Sequence, residues 1–117
     1  MLRFQLLWTI RLVVVLSCGS AISQEQDLHS ANYFVPGCRY YLAGTDQELF
    51  LQGLCGGAIY GLREGLQNKN HCIPSEVTGE QLLRVVVKYV DGRPERLQEP
   101  FIKLTLEAMH NTWPCKG

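Results

Sequence analysis

Five cysteines in a short chain constrain this sequence more than any other feature, because what they can do depends on which side of a membrane they reach. Residues 1–11 carry Arg3 and Arg11 and no acid, Leu12 to Cys18 is a short apolar run, and Ala21-Ile22-Ser23 sets small residues at the positions a signal peptidase reads. The N-terminus therefore reads as a secretory leader over residues 1–23, cleaved after Ser23, with one mature domain over residues 24–117. The apolar run falls well short of the ~20 residues that span a bilayer, so a retained anchor is not expected. Lipidation at Cys18 is the less favoured alternative, since Leu16 and Arg11 suit that signal poorly.

Once the leader is gone, Cys38, Cys55, Cys72 and Cys115 remain. An even number in a small exported domain reads as two disulfides, because the compartment is oxidising and a core of this size benefits from cross-links. Zinc is the competing reading, as His71 adjoins Cys72, but no two cysteines have the close spacing of a metal knuckle. Neither a metal nor any other cofactor is expected. Arg3 and Arg11 leave with the leader, so nine basic residues face eleven acidic ones, a net charge of −2. That balance gives no reason to look for nucleic acid or an anionic membrane surface as partner.

The order of elements predicts an all-α fold, a disulfide-bonded bundle of about four helices. A short helix beginning near Ser30 should stop at Pro36-Gly37. Thr45-Asp46-Gln47-Glu48 has the form of a capping box, and Leu51, Leu54, Cys55, Ala58, Leu62 and Leu66 behind it keep the helical period. Asn68 to Ser75 is a connection. Thr78-Gly79-Glu80-Gln81 is a second capping box, followed by Leu82, Val85, Val86, Tyr89 and Val90 at helical spacing, with Gly92 and Pro94 as the stop. A last helix should start near Pro100, carry Phe101, Leu104 and Ala108 with Ile102, Leu106 and Met109 beside them, and end at Trp113-Pro114-Cys115. Cys72 then precedes the third helix and Cys115 follows the fourth, ends that meet in an antiparallel pair. Cys72–Cys115 and Cys38–Cys55 are accordingly the expected bridges.

The second helix carries Gly53, Gly57, Gly61 and Gly65, one on every turn, each costing about 1 kcal/mol against alanine. Positions four apart share a face, so the line forms a groove without side chains. Close packing inside the monomer against the third or fourth helix is the expectation, and a dimer or partner surface is the alternative. His29, His71 and His110 are expected to face solvent. No serine elbow, zinc-protease helix or phosphate loop occurs, and with the cysteines in bridges no catalytic group is evident.

Asn32-Tyr33-Phe34 with Pro36-Gly37-Cys38 is followed by Gly53, Cys55, Gly57, Ile59 and Gly61 at alternate positions. Cys72-Ile73-Pro74, Thr78-Gly79-Glu80-Gln81-Leu82, Val85 to Tyr89, Arg93-Pro94-Glu95 and Trp113-Pro114-Cys115 complete the series. In this order, over about residues 30 to 115, the sequence resembles the Rap/Tai immunity proteins. The resemblance implies a periplasmic homodimer of the type VI secretion system, not an enzyme, which binds a peptidoglycan amidase effector and blocks its cleft. Producer and sibling cells are thereby protected. Arg93 stands where such proteins often have a histidine before the proline. The chemistry of the turn between the last two helices makes Asp91, Arg93, Glu95 and Arg96 the candidate partner-binding residues. An acid-stress periplasmic chaperone of the HdeA kind, opening near pH 2 to 3 as carboxylates protonate, is the alternative reading.

Overall fold

Helix α1 covers Ala31–Ala43, α2 Leu49–Gly65, α3 Gly79–Asp91 and α4 Phe101–Thr112, with one 3-10 turn at Pro94–Arg96 between the last two. These elements come from a computed structural model that describes residues 27–116; the leader, its cleavage position and Cys18 lie outside the described residues. The expected all-α, disulfide-bonded bundle is present, with no β-strand among the described residues.

Helix α1 begins after an extended Ser30 but does not stop at Pro36, where the sequence predicts its end. A proline at that point removes the N–H that would bond the Asn32 carbonyl. Both residues are exposed, so water can reach the carbonyl and the helix survives the loss. Gly37 and Cys38, the next two residues, are buried and make the contact with α2. A Cβ on Gly37 would stand 2.1 Å from the backbone oxygen of Leu51, so only glycine lets the two backbones approach this closely. The helix ends at Gly44, whose φ of 67° lets its N–H turn back to the Tyr41 carbonyl at 3.1 Å.

Thr45 to Glu48 does not cap α2 as its sequence suggests. The Thr45 hydroxyl donates instead to the Tyr40 carbonyl at 3.5 Å, closing the end of α1, and Glu48 takes a left-handed φ of 53° without a capping bond. Gln52 holds this loop from inside α2, its amide donating to the carbonyls of Thr45 at 2.8 Å and Gln47 at 2.7 Å. The second box forms as expected: Gln81 N–H donates to the Thr78 hydroxyl and Thr78 N–H to the Gln81 side chain, both at 3.1 Å.

The core gathers Val35 and Cys38 from α1, Cys55 and Ile59 from α2, Leu82, Leu83, Val86 and Val90 from α3, and Phe101, Leu104, Ala108 and Met109 from α4. Phe34 stacks on Phe101 with ring centroids 4.8 Å apart, tying the first helix to the last. The second apolar row expected on α4 is only partly buried, since Ile102 is 49% exposed. Both bridges pair as the helix order predicts. Cys38–Cys55 joins α1 to α2 across 17 residues, and Cys72–Cys115 joins the approach to α3 to the exit from α4 across 43. Loop-closure entropy gives the shorter bridge about 3 kcal/mol and the longer about 4 kcal/mol.

The glycine line of α2 does not pack within the monomer, which corrects the expectation drawn from the sequence. Cys55 and Ile59 turn inward, so Gly53, Gly57, Gly61 and Gly65 face outward, and a Cβ added at any of them meets no atom within 4 Å. The glycine that packing demands is Gly37. Gly37→Ala is therefore expected to lower the unfolding free energy by about 3 kcal/mol through collision with Leu51. Gly57→Ala should raise it by about 1 kcal/mol through helix propensity. Urea titration of both variants reads the contrast, and equal effects would contradict this arrangement. Cys115 is exposed whereas Cys38 and Cys55 are fully buried, so mild reductant followed by alkylation should label Cys72 and Cys115 first in mass spectra.

Candidate functional surfaces

The turn after α3 concentrates charge, and the fold uses most of that charge internally. Asp91 receives Arg39 of α1 in a two-pronged pair, with one nitrogen at 3.1 Å. Hydrogen bonding to Arg39 holds the Asp91 carboxyl below its ordinary pKa. Arg96 is gripped by two carboxylates of α4 and its approach: it donates to Glu107 at 2.7 and 2.9 Å and to Glu99 at 3.1 Å. Lys103 adds a bond to Glu99 at 2.8 Å, and the Tyr89 hydroxyl one to Glu107 at 2.8 Å. Hydrogen bonds from Arg96 and then Lys103 bring Glu99 down to about 2, and Arg96 and Tyr89 lower Glu107.

Of the four residues read as a partner-binding plug, Asp91 and Arg96 thus brace the turn against α1 and α4. Arg93 lies differently. Its guanidinium carbon sits 3.7 Å from the centroid of the Tyr89 ring, and one nitrogen donates to the Tyr89 carbonyl at 3.0 Å. Glu95 is exposed and takes part in no ion pair among the described residues. The four residues are neighbours in the chain but their side chains diverge, and their spacing could not reveal that Arg39 and Glu107 lie within reach.

His71 is the second correction. It is fully buried, not solvent-facing, with one ring nitrogen 3.0 Å from the Asn70 amide and the other 3.1 Å from the Arg63 carbonyl. With Nε2 carrying the hydrogen and Nδ1 accepting, both nitrogens are satisfied. The Asn70 amide also donates to the Leu106 carbonyl at 3.0 Å, and the next amide, that of Cys72, donates to the Trp113 carbonyl at 2.8 Å. This chain of bonds draws the connection inward between α2 and α4. Cys72 is bonded to Cys115 and both His71 nitrogens are engaged, so neither side chain is available to zinc. His110 remains exposed and its ring contacts the Asn70 carbonyl at 2.8 Å, while His29 is exposed on the N-terminal segment.

Among the described residues, at least two surfaces stay without partners. One is the outer face of α2, where the glycine line runs between exposed Leu49 and Phe50, 65% and 71% accessible, and Tyr60. No charged residue occurs from Leu49 to Leu62. Tyr60 reaches over the start of α3, where a Cβ on Gly79 would collide with its hydroxyl. The other surface is a groove of about 460 Å³ beside Tyr89 and Arg93, walled by α3 and closed by Thr112 at the end of α4.

These features define a class: a small domain of four helices, cross-linked twice, in which no group of three or more His, Cys, Asp or Glu side chains could hold a metal ion among the described residues. The family model described as Rap1a immunity proteins matches residues 17–115, and the chain belongs to that family. No curated protein and no solved structure matches the chain.

The depressed Glu99 pKa fixes the sign of one pH effect. The carboxylate contributes stability that is complete above its ordinary value of 4.5 and is lost as pH falls through about 2. Thermal unfolding of the wild type should therefore show an acid limb between these values, and Glu99→Gln should flatten it. Identical acid limbs would mean the Arg96 bracket does not form.

Proposed function

We propose that this chain is a non-enzymatic immunity protein of the periplasm that binds a type VI secretion peptidoglycan amidase and blocks its active-site cleft. The observation that carries this reading is the family match across residues 17–115. The structure is consistent with it in a physical sense. Two cross-links and an ion-paired turn make a pre-organised body, and a rigid inhibitor loses less conformational entropy on binding than a mobile one. The paired cysteines fit an oxidising compartment, as does the leader sequence.

The proposal includes a homodimer formed through α2. An exposed helix face with four glycines weakens the monomer and gains it nothing, so the compensating contact belongs to an assembly. A two-fold pairing of this helix about Gly57 would lay the Leu49–Phe50 knob of each copy against the Gly61–Gly65 groove of the other. Such a contact is self-complementary, as a two-fold interface requires.

Two measurements test the reading. Added in equimolar amount to the type VI amidase of the same cell, the protein should abolish release of peptide from peptidoglycan; undiminished hydrolysis would sink the amidase assignment. Gly57→Leu has room in the monomer, so it should stay folded and sediment at half the mass of the wild type. A wild type that already sediments as a monomer removes the dimer.

A further inference from the structure

The groove between α3 and α4 has a chemical character that the charged turn beside it lacks. Val85 and Tyr89 supply its apolar part, Lys88 and Arg93 its charge, and Gly92 and Thr112 complete the lining of a space of about 460 Å³. Lys88 and Arg93 form no ion pair among the described residues. Of the acids near Arg93 in the chain and on α4, Asp91 is engaged by Arg39 and Glu107 by Arg96 and Tyr89, while Glu95 is exposed and does not pair with Lys88 or Arg93. The Thr112 hydroxyl is likewise used, donating to the Ala108 carbonyl at 2.7 Å. Two cations, neither in an ion pair among the described residues, therefore flank one partly apolar groove, although the chain without its expected leader has a net charge of −2.

Arg93 is also held in place before any ligand arrives. Stacking over Tyr89 and one bond to the Tyr89 carbonyl fix the plane of the guanidinium while leaving most of its N–H donors unused. A fixed guanidinium recognises a planar carboxylate at low entropic cost, and a lysine lining the same groove adds attraction without demanding geometry. We propose that this groove is the docking site for an acidic side chain, an aspartate or glutamate next to an apolar residue, presented by a protein partner. The inference deepens the inhibitor reading above and rests on it for the partner's identity: the partner is the effector enzyme, and the groove names the chemistry of the segment it inserts. The charge complementarity argues for a protein carboxylate, because the flanking Val85 and Tyr89 surface needs an apolar neighbour that a free anion does not have.

The test has two arms. In the first, the acetylated peptide Leu-Glu-Leu-Glu and its amide counterpart Leu-Gln-Leu-Gln are titrated into the isolated, labelled protein. Saturable nitrogen–proton shifts are expected at Val85, Lys88, Tyr89 and the Arg93 side chain with the acidic peptide only, weakening with salt. Lys88→Gln and Arg93→Gln should each weaken the response about tenfold, the size expected for losing a charged hydrogen bond. Arg84→Gln, which removes a cation of α3 already paired with Glu80, should leave it unchanged. Equal response to both peptides, or shifts centred elsewhere, overturns the proposal. In the second arm the same variants are titrated with the amidase. An amidase that binds wild type and both groove variants equally also overturns it. If no amidase binds the wild type, the inhibitor reading fails, and the peptide arm still decides what the groove takes.

Discussion

The contact between α1 and α2 at Gly37 and Cys38 is the constraint on which the rest of the structure depends. A backbone-to-backbone approach that admits no Cβ at Gly37 lies next to a covalent bond from Cys38 to Cys55. The steric contact sets how near the helices come, and the bridge sets their relative rotation. With Cys55 drawn inward, Ile59 one turn later must follow it into the core, and the opposite face of α2 has to point away from the molecule. The outward glycine line is thus a consequence of the cross-link. The same fixed pair presents α1 to α3 and α4, where Phe34 meets Phe101 and Arg39 meets Asp91.

The second cross-link acts at the other end of the domain. Cys72–Cys115 holds the approach to α3 beside the exit from α4, and the amide of Cys72 bonds the Trp113 carbonyl alongside it. His71 is carried into the interior by its neighbour, where it substitutes for packing that a short polar connection could not otherwise supply. Between these two braces, the turn at Pro94–Arg96 is pinned by Arg96 to Glu99 and Glu107. Individually such partly exposed pairs contribute little, but as a network they restrict the geometry of the turn. In general, a surface whose geometry is set before a partner arrives loses less conformational entropy on binding.

Several of these features were legible in the chain before any coordinates. The helices α3 and α4, both disulfide pairings and the Thr78–Gln81 cap agree with the sequence reading, and each depends on residues close together or on the order of elements. Thr45 misled because its hydroxyl had two possible uses within a few residues, and closing α1 prevailed over opening α2. Pro36 misled because its cost falls on one carbonyl, which solvent can satisfy. Of the candidate partner-binding residues, Asp91 is held by Arg39 from 52 residues away, which no local pattern foretells, whereas Arg96 is held by Glu99 and Glu107, three and eleven residues on. Lys88 and Tyr89 were missed as surface residues because a helical period marks Tyr89 as core and gives Lys88 no distinction.

What the sequence determined by itself is the class of molecule: a cysteine-paired, helical domain whose capping and periodicity act over one or two turns. Those signals are bond-by-bond preferences, felt by residues a few positions apart. Which way the glycines face, whether His71 meets water and which charges are left unpaired were decided only in three dimensions. Each turns on a meeting between segments remote in the chain, such as Arg39 with Asp91 across 52 residues or Asn70 with Leu106 across 36. Burial and charge pairing are properties of what closes over a residue, and no local pattern encodes that.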